Sequence, residues 1–376
     1  MALKLTVTRK DFSDGINTVI KAISGKANLP ILNNILMETE QGGIRLVATD
    51  LQLGTSCFVA CVVQTEGTIA FPAKSISEYL ANTPENAELT ISVNKINQTV
   101  VKFGGSEQKF LSLKGEDYPR LPEIEDYVEL SMPQRTLKQM ADSVLFAVSD
   151  KPEKPAITGM LIHSTNDGID FVGTDSHRVA VNSLPSEGAE ASKTIIPQFA
   201  MAEVLRLLSD TLDPVQVLVA KGFAKFNIGG TSCVEVSTVT LQSEGFPAWH
   251  KIMPSEEDIK NVCIIQTEQL LMALRRLQIS ARENGNRVNC TFADSTLTLN
   301  VESHTVGEGV EVLNCEYTGT DGFSIAFNLK YILDFLRVAG HSHISFSTYN
   351  PLRPALLLPV AEDSGLKYVS MPMNTK

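Results

Sequence analysis

The sequence predicts a mixed α+β chain of three tandem repeats, each built from two βαβββ units. Three observations carry this. First, phrases return in order. Val47-Ala48-Thr49-Asp50 comes back as Val172-Gly173-Thr174-Asp175. Phe71-Pro72-Ala73-Lys74 comes back as Ile196-Pro197-Gln198-Phe199 and again as Phe327-Asn328-Leu329-Lys330-Tyr331, while Asp117-Tyr118-Pro119 returns as Gly245-Phe246-Pro247. The first two returns share an offset of about 125 residues, a phased repeat. Second, each third opens with an alternating strand and then a helical stripe. Third, 376 residues with 43% hydrophobic and 20% charged side chains let each third bury its own core. Repetition of this kind makes curved surfaces and rings more readily than catalytic centres.

In the first third, Leu3 to Val7 alternates as a strand. Thr8 with Asp11 has the form of a capping box, and Phe12, Ile16, Val19, Ile20 and Ile23 fall on one helical face. In the second, Val128 to Met132 is the strand and Pro133 suits a first helical turn. Leu137, Met140, Ala141, Val144, Leu145 and Val148 then form the stripe. In the third, Val262 to Gln266 precedes Leu270, Leu271, Leu274 and Leu277. Paired strands follow each helix: Ile35–Met37 with Ile44–Val47, Met160–Ile162 with Ile169–Val172, and Val288–Phe292 with Leu297–Val301. Turns at Gln41-Gly42-Gly43 and Asn166-Asp167-Gly168 join the first two of these pairs. A second helix is expected from near Ser75, Gln198 and Asn328, giving six helices and about two dozen strands in all. Domain boundaries are expected at 1–125, 126–257 and 258–376, with linkers at Arg120–Asp126 and Met253–Lys260.

The six cysteines form no CxxC pair and no Cys/His cluster at zinc spacing, so no metal and no cofactor is expected. No Gly-rich phosphate loop or nucleophile elbow occurs, so no catalytic residue is assigned. Asp175, Ser176 and His177 adjoin in sequence, and side chains so placed on a strand or turn do not converge on one point as a triad must. No apolar run is long enough to span a bilayer, and Met1-Ala2-Leu3-Lys4-Leu5 lacks the form of a signal peptide. Cytoplasmic residence, close to the nucleoid, is the expectation. Net charge is −11, which opposes nucleic-acid binding by the molecule as a whole. The predicted helices and their flanks, however, carry about five more basic than acidic side chains. If the helices share one surface, that surface binds phosphate without reading sequence; ordinary solvated helix faces also produce so modest an excess.

Several phrases in order resemble the bacterial DNA sliding clamps, the beta subunit of DNA polymerase III. They are Leu29-Pro30-Ile31-Leu32-Asn33-Asn34-Ile35, Ala48-Thr49-Asp50-Leu51, Asp117-Tyr118-Pro119-Arg120-Leu121-Pro122, Thr174-Asp175-Ser176-His177-Arg178, Phe327-Asn328-Leu329-Lys330-Tyr331 and the ending Tyr368-Val369-Ser370-Met371-Pro372-Met373. The resemblance implies the DNA-clamp fold closed as a head-to-tail homodimeric ring with helices lining the hole. It implies a non-enzyme that encircles double-stranded DNA without sequence preference and tethers the replicative polymerase catalytic subunit. Further partners would be the clamp loader and the repair and translesion polymerases that carry a short hydrophobic clamp-binding motif.

Carried over residue by residue, the peptide pocket would comprise Ile157, Thr174, Ser176, His177, Arg178, Val179, Pro247 and Ile252 with Asn328, Tyr331, Leu352, Pro354, Val369, Ser370, Met371, Pro372 and Met373. Apolar walls and a polarizable Met suit a Leu or Phe side chain, and a polar rim suits peptide backbone. DNA contacts would fall to Lys26 and to Lys151 and Lys154 in the loop after the third helix, joined by the helix cations Lys10, Lys74, Arg135, Lys138, Arg206, Arg275, Arg276 and Arg337. Dimer contacts would lie at Lys109, Phe110 and Leu111 and at Leu277, Gln278 and Ile279. The chain departs from the family pattern at Pro155 and Ala156, where aromatic residues are usual, in Ser280–Asn286, and at Asn374-Thr375-Lys376. These departures sustain an alternative: a clamp paralogue acting mainly as a scaffold for partner peptides.

Overall fold

The computed structural model describes residues 3–24, 29–186, 188–230, 233–255, 257, 259–361 and 364–373. Among them are six α-helices: α1 Arg9–Val19, α2 Ala73–Ala81, α3 Gln134–Leu145, α4 Gln198–Leu207, α5 Thr267–Ala281 and α6 Leu329–Val338. Each follows one strand and precedes at least three, so the βαβββ unit occurs six times, with a short extra strand after α1, α2 and α5 (Val62–Thr65, Leu113–Lys114 and Glu316–Thr318). The start of α1 is capped as the sequence predicts: Thr8 Oγ1 accepts from the Asp11 backbone N–H at 3.1 Å and donates to Asp11 Oδ2 at 2.6 Å. Phe12, Ile16 and Val19 form its buried face. Pro133 does not open α3. It ends the strand Val128–Pro133, which lies at a sheet edge, where a missing N–H is tolerated.

The chain forms two compact units, residues 1–137 with 199–240 and residues 138–198 with 241–376. The division runs through the central third.

The first unit holds a five-stranded sheet in the order Val62–Thr65, Lys4–Thr8, Glu88–Val93, Gln98–Phe103, Ser106–Leu111. It also holds a nine-stranded sheet in the order Leu113–Lys114, Thr68–Pro72, Asn34–Glu40, Gly43–Thr49, Leu53–Ala60, Val234–Val239, Phe223–Ile228, Pro214–Ala220, Val128–Pro133. The second unit has its own nine-stranded sheet: Ser192–Pro197, Gly159–Thr165, Gly168–Thr174, Arg178–Pro185, Leu366–Ser370, Ala355–Pro359, His343–Thr348, Asn261–Gln266, Glu316–Thr318. A four-stranded sheet runs Gly307–Asn314, Thr296–Ser303, Arg287–Ala293, Phe323–Asn328.

Each large sheet is two smaller ones joined at a single antiparallel seam. In the first unit Leu53 pairs with Thr238 and Gly54 with Ser237. In the second Arg178 pairs with Ser370 and Val179 with Val369. The repeated Thr-Asp phrase stands at both seams, as a turn with one hydrogen-bond pattern. Thr49 Oγ1 donates to Leu53 O at 2.8 Å, and Thr174 Oγ1 to Arg178 O at 2.7 Å. Asp50 Oδ1 accepts from the N–H groups of Gln52 and Leu53, and Asp175 Oδ1 from those of His177 and Arg178. The residue after the Asp takes the left-handed conformation in both copies, with φ of 75° at Leu51 and 79° at Ser176. Short side chains that hydrogen-bond their own backbone explain why this phrase marks the turn.

Candidate functional site

At the seam of the second unit lies a cavity of about 230 Å³, lined by Thr174, Ser176, His177, Arg178, Val179, Pro247, Ile252, Val369 and Met371. The Thr-Asp turn supplies one wall. The end of strand Leu366–Ser370 supplies the facing one, held to the turn where the Met371 N–H donates to His177 O at 2.9 Å. Pro247 and Ile252 close the third side. Beneath them Ile157, Leu161, Val172, Val179, Ile195 and Phe246 form a buried apolar cluster. Alternation along the last strand sets what faces the cavity: Val369 and Met371 line it, while the intervening Ser370 is fully buried with its hydroxyl lacking a hydrogen-bond partner. Met371 is 41% exposed, so a polarizable apolar side chain stands open to solvent at the rim.

The remaining expected pocket residues take other places. Ile157 belongs to the cluster under the floor. Asn328 caps α6, its Oδ1 accepting from the Lys330 N–H at 3.0 Å. Leu352 is 76% exposed, and Pro354 is half-buried just ahead of strand Ala355–Pro359. Pro372 and Met373 run on from Met371, and the Met373 N–H donates to Ala326 O at 2.8 Å. Tyr331 lies under Arg178.

Arg178 is the electrostatic centre of the floor. Only 7% of its side chain is exposed. It pairs with Asp175 at 3.0 Å and Asp334 at 2.9 Å, donates to Phe146 O at 2.8 Å, and lies over the Tyr331 ring at 4.3 Å. Burial disfavours its charge, but Tyr368, Asp334 and Asp175 together outweigh that and raise its pKa. Below it, burial pushes the Tyr368 hydroxyl up; that hydroxyl donates to Tyr331 O at 3.0 Å, and its ring stacks on Phe335 with centroids 4.9 Å apart. Burial, then the Asp175 charge, raises Tyr331 as well. Asp334, Phe146 and Tyr368 were absent from the expected site. Asp175 carried a signal in the repeated phrase; Asp334 and Phe146 had none, because only tertiary folding brings them to Arg178.

The Asp175-Ser176-His177 run makes no relay. Asp175 is engaged by backbone N–H groups and Arg178, and Ser176 Oγ accepts from Lys154 Nζ at 3.3 Å. Among the described residues no group of His, Cys, Asp or Glu is arranged to hold a metal ion, and all six cysteines are free.

The expected DNA cations occupy varied surroundings. Lys10, Lys74, Lys151 and Arg275 are exposed, on α1, α2, the loop after α3 and α5. Lys138, on α3, is partly buried. Lys26 lies outside the described residues. Arg135 pairs with Asp210, Arg206 with Glu203, Arg276 with Glu311 through two 2.6 Å bonds, and Arg337 with Asp334. Of these, Arg135–Asp210 is exposed on both sides; such a pair is worth about 0–1 kcal/mol, so a phosphate can displace the carboxylate.

Of the expected dimer residues, Lys109 and Leu111 are exposed on the edge strand Ser106–Leu111, while Phe110 turns inward against Tyr79. On α5, Leu277 is buried, Gln278 half-buried and Ile279 exposed. Strand Gly307–Asn314, an outer strand of the four-stranded sheet that the sequence reading did not single out, exposes Val310 and Val312.

Three family models match the chain in order: DNA polymerase III beta subunit N-terminal domain at residues 3–122, central domain at 131–240 and C-terminal domain at 250–374. The "Beta sliding clamp" of Synechocystis sp. is 27% identical over 399 residues, covering 99% of each chain. That of Escherichia coli K12 is 25% identical over 375 residues, covering 99% of this chain and all of its own. The Bacillus subtilis sliding clamp structure superposes with a TM-score of 0.93 at 23% identity, and the Pseudomonas aeruginosa clamp bound to griselimycin with 0.92 at 23%, each covering both chains completely. The last two likenesses carry the fold. With matches to all three of its domains, the chain belongs to the DNA polymerase III beta subunit family.

Proposed function

We propose that the chain works as a DNA sliding clamp: it encircles duplex DNA, holds the replicative polymerase to its template, and catalyses no reaction of its own. The observation that carries this is the ordered match to all three beta-subunit domains. The mechanism is topological. A closed ring slides because phosphate contacts are exchangeable and nonspecific, and it does not leave sideways. A tethered polymerase stays at high effective concentration at the primer end. In this reading the three domains are 1–125, 126–257 and 258–376. Two chains join head to tail, strand Ser106–Leu111 of one meeting Gly307–Asn314 of the other, which closes two otherwise open edges. Lys10, Lys26, Lys74, Lys151, Lys154 and the paired arginines face the DNA. The cavity at Met371 receives a Leu or Phe side chain from partner peptides, and the clamp works in the cytoplasm, at the nucleoid. No feature of the described residues favours the scaffold alternative; Asn374, Thr375 and Lys376 lie outside them.

The test is topological too. Protein loaded onto a nicked circular plasmid by a clamp loader should stay bound through a high-salt wash and fall off once the plasmid is cut. Retention on linear DNA, or loss from the circle at high salt, sinks the reading. In solution, light scattering should give twice the chain mass.

A further inference from the structure

The first unit carries the same seam, the same Thr-Asp turn and a groove of about 240 Å³ beside it. Position by position, Gly54 stands where Val179 stands, Ser237 where Val369 stands and Val239 where Met371 stands. The difference lies in what covers it. Tyr118 is buried and anchors the following segment: its hydroxyl donates to Asn34 O at 3.1 Å and accepts from the Thr49 N–H at 3.2 Å. Three residues on, Leu121 packs against the cluster Leu36, Val47, Ala70 and Tyr118. It also lies directly on Gly54: a Cβ there would stand 2.2 Å from Leu121 Cδ2 and 2.8 Å from Ser237 Oγ. In the second unit Val179 fills the equivalent place. The matching segment there coils into the short 3₁₀ turn Trp249–Lys251, with Trp249 packed on the core and the cavity bounded by Pro247 and Ile252.

We propose that the first groove is a copy of the peptide seat whose Gly54 floor position is occupied by the chain's own Leu121, so that the space left beside it does not seat a peptide side chain and each chain offers one seat and not two. This rests on the peptide-seat reading of the second unit. Leu121 is an aliphatic side chain on an extended segment, the chemistry that reading assigns to a partner peptide. Glycine at 54 is what lets it sit so low; valine at 179 keeps the second seat from closing in the same way.

The experiment has two parts. Calorimetry with a synthetic octapeptide ending in Leu-Phe should give one peptide per chain for the wild type and two for Leu121→Ala, with crystals of the variant showing peptide at both seams. One per chain in both proteins overturns the inference and leaves the proposed function standing. No binding to the wild type sinks the peptide-seat reading and this inference with it. The second part does not depend on peptide. Gly54→Ala should lower the melting temperature of the wild type, because the added methyl meets Leu121 and the Ser237 hydroxyl, and the part due to Leu121 should vanish in the Leu121→Ala background. Additive losses show that Leu121 does not lie on Gly54 and overturn the inference by themselves.

Discussion

Replacing Arg178 with Met tests the floor of the cavity. Met keeps the apolar stem and removes the charge. The change takes the Arg178 cation from Asp175 and Asp334, whose side chains are 14% and 12% exposed, leaves Asp334 only the half-exposed Arg337 at 3.0 Å, frees the Phe146 carbonyl, and ends the stacking on Tyr331. Removing one member of a buried ion pair costs about 3–5 kcal/mol, since the other charge stays behind uncompensated. For a unit of about 200 residues each kcal/mol moves Tm by roughly 2–4 °C, so the expected fall is roughly 6–20 °C for the transition of the second unit. Differential scanning calorimetry reads it directly. Adding Asp334→Leu should recover part of the loss, because an apolar replacement of the whole pair is close to neutral. Asp175 is left in place, since it also holds the turn. A fall below about 2–4 °C, near 1 kcal/mol, refutes the reasoning and means that water reaches the two carboxylates.

Three further outcomes are expected. Met371→Asp places a charge on the cavity wall and should weaken binding of a Leu-Phe peptide by at least about tenfold, or 1.4 kcal/mol, with Tm unchanged; calorimetry and a melt decide it. Lys151→Glu with Lys154→Glu should weaken loading on primed DNA and flatten its salt dependence, and an unchanged slope of affinity against salt removes both from the DNA path. Glu311 is held below the usual carboxylate range by its hydrogen bond to Arg276. A depressed carboxylate lends stability above its unfolded pKa and loses it as pH falls through its folded value. In Arg276→Gln, the Glu311 carboxyl followed by NMR should therefore titrate at higher pH, and the loss of stability on acidification should shrink.

Much of the fold was legible because each repeated phrase is a repeated physical device. Thr49-Asp50 and Thr174-Asp175 build the same turn from short polar side chains bonding their own backbone, and Thr8 caps α1 by the same kind of local chemistry. All nine residues lining the cavity stand among the seventeen expected from the resemblance. What was not legible is long-range. Asp334 lies 156 residues from Arg178, and no periodicity links them. The division of the central third between two units was hidden for the same reason: a seam such as Gly54 with Ser237 joins strands whose separation carries no local signal. Pro133 misled because the same residue suits a first helical turn and an edge strand.

The interleaving of the two units has a consequence for biosynthesis. Strand Leu53–Ala60 has one neighbour, Gly43–Thr49, from the start, but its other neighbour, Val234–Val239, is made about 180 residues later. At ribosomal rates of about 5–20 residues per second the nascent chain carries that open edge for roughly 10–35 s. At Leu53–Ser56 that edge leaves backbone N–H and C=O groups unpaired, the kind of surface that recruits foreign strands. Slow codons or stalling between residues 60 and 234 should therefore raise aggregation more than the same delay placed after residue 240, and a chaperone that shields a bare strand has its longest window here. The chain crosses between its units three times, after residues 137, 198 and 240, so no single cleavage detaches either unit from the other's backbone without also dividing one of them.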